Sequence, residues 1–153
     1  MKIRYIIQDK KTLQLYERIY DFSIIEKLGI YQKINEDEER IISRDKSISV
    51  YDINKNLLFN SDIIEFQETN GLLKKTIVQF ITQFDFIGYA VFRNRRRFII
   101  LNRKNVTEYK IKKIGNVFIN PELAPDNLKK IFFKTKDDIL KKIPTVLGGN
   151  IHA

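Results

Sequence analysis

The sequence predicts a mainly β (α+β) fold: a small open barrel or a curved antiparallel sheet, with a short helix in the first half and a C-terminal helical extension. Three observations predict it. Short β-branched and aromatic runs recur from Lys2 to Ile119, separated by polar turn clusters, which is the pattern of a compact all-antiparallel unit. The 153-residue chain is 43% hydrophobic, with 11 Phe and 7 Tyr, so it can bury a core without disulfides. Finally, Pro121 and Pro125 interrupt the β pattern, and helical spacing follows them.

Lys2–Gln8 and Leu13–Ile19 read as a hairpin around the polar turn Asp9-Lys10-Lys11-Thr12. Phe22–Leu28 reads as a short helix after an Asp21 cap, stopped by Gly29, although its two adjacent Ile residues also fit a strand. Asn35–Arg40 is too polar for a core and reads as a solvated turn. Ile48–Ile53 and Leu57–Phe59 flank Asn54-Lys55-Asn56, where Asn tolerates positive φ, and Ile63–Phe66 is the next strand. Thr76–Phe84, Phe86–Phe92, Phe98–Leu101 and Val106–Lys113 carry the strongest β propensity. In Asp126–Phe133, Leu128, Ile131 and Phe132 share one helical side, and Lys136–Ile143 extends it as a second helix ended by Pro144. The expected organisation is a β domain over residues 1–123 and a helical extension with a flexible tail over 124–153.

Several function classes lose support at this level. Without cysteine there are no disulfides, thiolates or Cys-based zinc sites, and a single histidine cannot build a multi-His metal site. His152 lies in a tail beside Gly148-Gly149, and those glycines lack the GxxxxGK[ST] phosphate-loop pattern. Glu36-Asp37-Glu38-Glu39 lacks the spacing and glycine of a calcium loop, and Asp137 and Asp138 point apart on a helix. Asp62 reads as a turn or capping carboxylate. No catalytic residue, cofactor or metal is expected. No signal-peptide core is visible, and no uncharged apolar run approaches the roughly 20 residues of a membrane span; a cytoplasmic protein without a membrane partner is expected.

Charge supplies the positive evidence. The net charge is +9, but Met1–Leu72 holds 11 Lys and Arg against 13 Asp and Glu, whereas Leu73–Ala153 holds 17 against 6. That asymmetry points to nucleic acid, an anionic membrane surface or an acidic protein, without choosing among them. Its centre is Arg93-Asn94-Arg95-Arg96-Arg97, placed as the tip of a hairpin between two hydrophobic runs. Guanidinium forks grip phosphates bidentately, and charges at such a tip also keep hydrophobic strands from pairing with other chains. Arg103, Lys104, Lys110, Lys112, Lys113, Lys129 and Lys130 extend the cluster into a stripe, or simply decorate a solvated face; if Val106–Lys113 alternates as a strand, Lys110 and Lys112 share one face opposite Tyr109 and Ile111. Phe84, Phe86, Tyr89 and Phe92 are candidates for base stacking beside it, or are core.

Three segments carry a family likeness. Ile3-Arg4-Tyr5 is followed by Asp9–Thr12 and Tyr16-Glu17; Tyr51–Phe59 is followed by Asp62–Phe66; and Ile114-Gly115-Asn116-Val117-Phe118-Ile119-Asn120-Pro121-Glu122-Leu123 closes the series. In this order the chain resembles the YopX-like family of bacteriophage and prophage proteins. The resemblance implies a mainly β unit with a small SH3-like barrel and a phage accessory role, and it carries no agreed biochemical activity and no established catalytic residues; a non-catalytic role exerted by binding is the expectation from the basic charge and the missing catalytic motifs. Ser61 departs from the family pattern, which places Gly before the Asp; if that backbone has positive φ, Ser61 adopts it at a cost. The partner is then expected to be nucleic acid at a basic surface. A protein-interaction module acting on a host enzyme or defence complex, and self-association through strand edges into a homo-oligomer, are the other readings.

Overall fold

A computed structural model describes residues 1–30, 33–82, 85–94 and 96–141. Nine strands and three α-helices follow one another as β1 (Lys2–Asp9), β2 (Leu15–Asp21), α1 (Phe22–Leu28), β3 (Glu39–Tyr51), β4 (Leu57–Phe59), β5 (Asp62–Gln67), β6 (Leu73–Ile81), β7 (Gly88–Phe92), β8 (Phe98–Ile100), α2 (Arg103–Glu108), β9 (Lys112–Asn116) and α3 (Asp126–Lys141) among the described residues. The mainly β, antiparallel prediction holds. The strands are not closed into a barrel. The strands form two open sheets, β2-β1-β3-β4 and β8-β7-β6-β5-β9. One physical reason lies at β9, whose edge amides are taken by side chains: Lys113 N–H donates to Asp52 Oδ2 (2.8 Å) and Asn116 N–H to Asn120 Oδ1 (3.2 Å). An edge capped in this way has fewer free donors for a closing strand.

The first hairpin forms as predicted, because the Asp9 carboxylate accepts the amides of Lys11 (2.9 Å) and Thr12 (2.8 Å). Helix α1 also forms as predicted, with Gly29 at φ 74° past its end. Asp21 starts it without a side-chain cap, since its carboxylate instead meets Lys2 Nζ at 2.7 Å. The polar turn before β3 ends two residues earlier than expected: Glu39 opens the strand, and its carboxylate pairs with Arg18 (2.7 Å) and the Tyr16 hydroxyl. In the Asp52–Asn56 turn it is Lys55, not an asparagine, that takes positive φ (64°), while Asp52 Oδ1 accepts both Asn54 N–H and Asn56 N–H.

Two element predictions are overturned. Val106–Lys113 is not a strand. Asn102 Oδ1 accepts Asn105 N–H (2.8 Å) and caps helix α2, Val106 turns into the core, and Lys110 breaks out at φ 50° before β9 begins at Lys112. The β propensity of Val106, Thr107 and Tyr109 is outweighed by a cap and a buried contact. The helical extension is not two short helices, since α3 continues unbroken to Lys141. Ile143, Pro144, the glycine pair and His152 lie outside the described residues, as does Phe84.

Three apolar clusters hold the layers together. Ile3, Tyr5 and Ile7 of β1 pack with Ile25 and Ile34 on the outer face of the first sheet. On the second sheet, period-2 alternation divides the strands: Ile64, Phe66, Val78, Val91 and Ile99 face α2 and the end of β3. Ile63, Ile77, Ile81, Ala90 and Phe92 face α3, which answers with Leu128 and Phe132. Burying each of those two side chains contributes about 1.5–3 kcal/mol, so the start of α3 is part of the core.

The sheets meet at the tight turn from β4 to β5. Ser61 there has φ 73°, the conformation a glycine would take without cost. Its hydroxyl compensates, donating to Asp45 Oδ2 (3.2 Å) and accepting from Arg4 Nη2 (3.1 Å) and Asn116 Nδ2 (3.0 Å). Asp62 does the capping work read from the sequence, accepting Phe59 N–H at 2.8 Å. It also pairs with Arg4, and both side chains are fully buried. Gly115 is needed for close approach: a Cβ there would stand 2.8 Å from Asn120 Oδ1.

Candidate nucleic-acid interface

Strands β7 and β8 are the antiparallel pair that presents the arginine tip, in register Phe92↔Phe98. The tip is shaped by Asn94, whose Oδ1 accepts the amides of Arg96 (2.9 Å) and Arg97 (3.0 Å), while Arg93 N–H donates to Arg97 O (2.9 Å). This local turn chemistry turns the chain within a few residues and leaves the side chains of Arg96 and Arg97 exposed. Arg95 lies outside the described residues.

Arg93 is placed differently. Its Nε donates to both oxygens of Glu68 (3.0 and 2.8 Å), its Nη2 bonds the same carboxylate, and its guanidinium lies over the Tyr109 ring, 5.9 Å from the centroid. Glu68 sits at the β5–β6 turn, its side chain 7% exposed, and also meets Lys74 Nζ at 3.3 Å. The Arg93 fork holds the Glu68 carboxyl below the usual glutamate range, against the opposing effect of burial and with help from Lys74. Arg93, Arg96, Arg97, Phe98, Asn105 and Tyr109 line one groove of about 500 Å³ between the tip and α2.

The remaining predicted residues divide. Arg103 faces a neighbouring groove of about 690 Å³, with Tyr51, Ile53 and Lys55, on the other side of α2. Lys104 on α2 and Lys110 in the turn after it are exposed and line neither groove. Lys112 is committed to Glu65 (3.5 Å) on the paired strand β5. The shared face expected for Lys110 and Lys112 does not exist, because Lys110 is not in a strand. Lys113 is held by Asp62 (3.5 Å) and Lys129 by Asp126 (3.2 Å), so neither extends a stripe. Among the described residues, Arg96, Arg97, Arg103, Lys104 and Lys110 have no ion pair within the chain.

The aromatic candidates are also redistributed. Phe92 is core, Phe86 packs against the α3 side, and Tyr89 is half-buried edge-on to Phe80. Phe98 lines the groove, and Tyr109, the residue that ends α2, sets its ring against Arg93. Sequence reasoning missed Tyr109, Asn105 and Glu68 as site residues. Glu68 is 25 positions from Arg93, and only the β5–β6 hairpin lying beside β7 brings them together. The Asn102 cap was the one local signal that could have moved Tyr109 from a strand to a helix end.

Chemically, the groove offers two free guanidinium forks at its rim and a third that is neutralised and fixed on an aromatic ring. Free forks suit phosphate oxygens, and a fixed planar group suits a planar ligand. No helix is long and apolar enough to cross a membrane among the described residues. No protein-family model matches the chain, and no curated protein matches it.

Proposed function

We propose that this protein works by binding nucleic acid in the groove between the β7–β8 tip and α2, with Arg96 and Arg97 as its phosphate contacts. The observation that carries the reading is that these two arginines stand exposed and unpaired on one groove wall, while other basic residues nearby are bound to the chain's own acids. Arg103, Lys104 and Lys110 on and beside α2 supply the surrounding positive field. The likeness to YopX-like proteins supports a phage or prophage accessory role for such a binder, without turnover.

Salt titration tests it. Binding of an oligonucleotide should weaken steeply with salt, and Arg96→Gln with Arg97→Gln should flatten the log–log slope by about 1.4 on a single strand, at about 0.7 per phosphate contact. An unchanged slope in that double variant removes the tip from the interface. Recovery of a partner from host lysate that survives nuclease treatment would favour an acidic protein surface instead.

A further inference from the structure

Resting on that reading, we infer that the ligand is single-stranded nucleic acid, and that Glu68, Arg93 and Tyr109 form a platform on which one unpaired base stacks while Arg96 and Arg97 hold the flanking phosphates. The inference starts from a division of labour among three arginines in one groove. Arg96 and Arg97 are free charges. Arg93 is not: its Nε and Nη2 are both engaged by a carboxylate that is itself more than nine-tenths buried. A guanidinium already neutralised in this way releases few counterions when a phosphate approaches, so it is poorly suited to be a phosphate contact.

What Arg93 retains is its plane. One edge is fixed by Glu68 and one face lies over Tyr109, so the ordering entropy of a long side chain has been lost before any ligand arrives. Its side chain is nonetheless 27% exposed and lines the groove. Arginine planes and aromatic rings are the surfaces on which unpaired bases stack, a contact that tolerates any base. The groove, at about 500 Å³, lies in the size range of sites for one small ligand, which matches a single splayed nucleotide. A duplex keeps its base faces covered by neighbouring pairs and offers this platform nothing.

Fluorescence anisotropy with a labelled mixed-sequence 12-mer, alone and annealed to its complement, tests the idea on the full chain. The wild type should prefer the single strand. Arg93→Lys keeps the charge and the means to pair with Glu68 but loses the plane; it should weaken single-strand binding about tenfold with an unchanged salt slope. Tyr109→Leu, which keeps apolar volume beneath Arg93, should weaken it in the same way. Circular dichroism and melting temperature check that both variants are folded, and the strand preference of the wild type needs no variant. Equal affinity for strand and duplex, or an Arg93→Lys protein that binds the strand as the wild type does, overturns the platform. If the Arg96→Gln, Arg97→Gln pair still flattens the slope in that case, the groove reading stands alone. Absence of binding to either oligonucleotide overturns both.

Discussion

Two arginine–carboxylate centres in this molecule look alike in sequence and do opposite things. Arg4 is fully buried between the sheets, where Asp62, Asp45 (3.6 Å), the Ser61 hydroxyl, the Asn60 carbonyl (2.8 Å) and the Phe59 ring (4.7 Å) surround it. Arg93 is held on one edge by Glu68 and on one face by Tyr109, and remains open to the groove. Arg4 has no open face, and of its buried nitrogens only Nε lacks a partner among the described residues. The difference teaches that what an arginine does is set by how many of its sides the fold covers. Covered all round it is a clamp; covered in part it is a presented surface.

The largest test of that contrast is at Arg4. Arg4→Ala leaves Asp62 and Asp45 in a buried site with Lys113 as the nearest remaining cation to Asp62, and should cost about 3–5 kcal/mol in urea unfolding. Oligonucleotide affinity of the fraction that folds should not change. A loss near zero would mean the centre is not the clamp between sheets. Ser61→Gly sharpens the same point. It removes the cost of positive φ, about 1–2 kcal/mol, but also three hydrogen bonds to buried polar and charged partners, each worth about 1–3 kcal/mol. Even at the low end of those ranges the expected sum is a net loss of about 1 kcal/mol or more, read as a lower denaturation midpoint; a gain would show that strain outweighs the hydroxyl.

Glu68→Gln carries the smallest effect on stability and the clearest effect on charge. Freed from its carboxylate, Arg93 becomes available to phosphate, and the salt slope should steepen by about 0.7 on a single strand. The stability difference between wild type and this variant should depend on acid. Because the folded-state value of Glu68 lies below the ordinary 4.5, its stabilisation is complete above that value and disappears as pH falls through the lowered one. Thermal melts should therefore differ between the two proteins at neutral pH, and the difference should shrink as pH is taken progressively below 4.5. Curves that stay apart in acid would separate the stabilisation from the Glu68 charge.

Much of the β framework was legible in order along the chain. The Asp9–Thr12 turn, helix α1 with Gly29, the Leu57–Phe59 strand and the break at Asn120-Pro121 are local events, set by residues a few positions apart. The positive φ of Ser61 was readable as a condition, but its remedy was not, because the partners Arg4, Asp45 and Asn116 come from three distant strands. The site was half legible. Arg93–Arg97 as a hairpin tip followed from two flanking hydrophobic runs, whereas the extension through Lys110 and Lys112 rested on an alternation that the Asn102 cap replaces with a helix.

By itself, the sequence determined the class of the fold, the excess of positive charge in its second half and the placing of four arginines at one turn, since period-2 patterning, composition and turn chemistry are properties of neighbours in the chain. Only the tertiary structure decided which cations are free. Whether a charge is neutralised depends on carboxylates brought within hydrogen-bond reach by pairing between strands, as Glu68 is to Arg93 and Asp62 to Arg4 across 25 and 58 positions. Coulomb and hydrogen-bond energies fall off over a few ångströms of space, and separation along the chain does not report that distance.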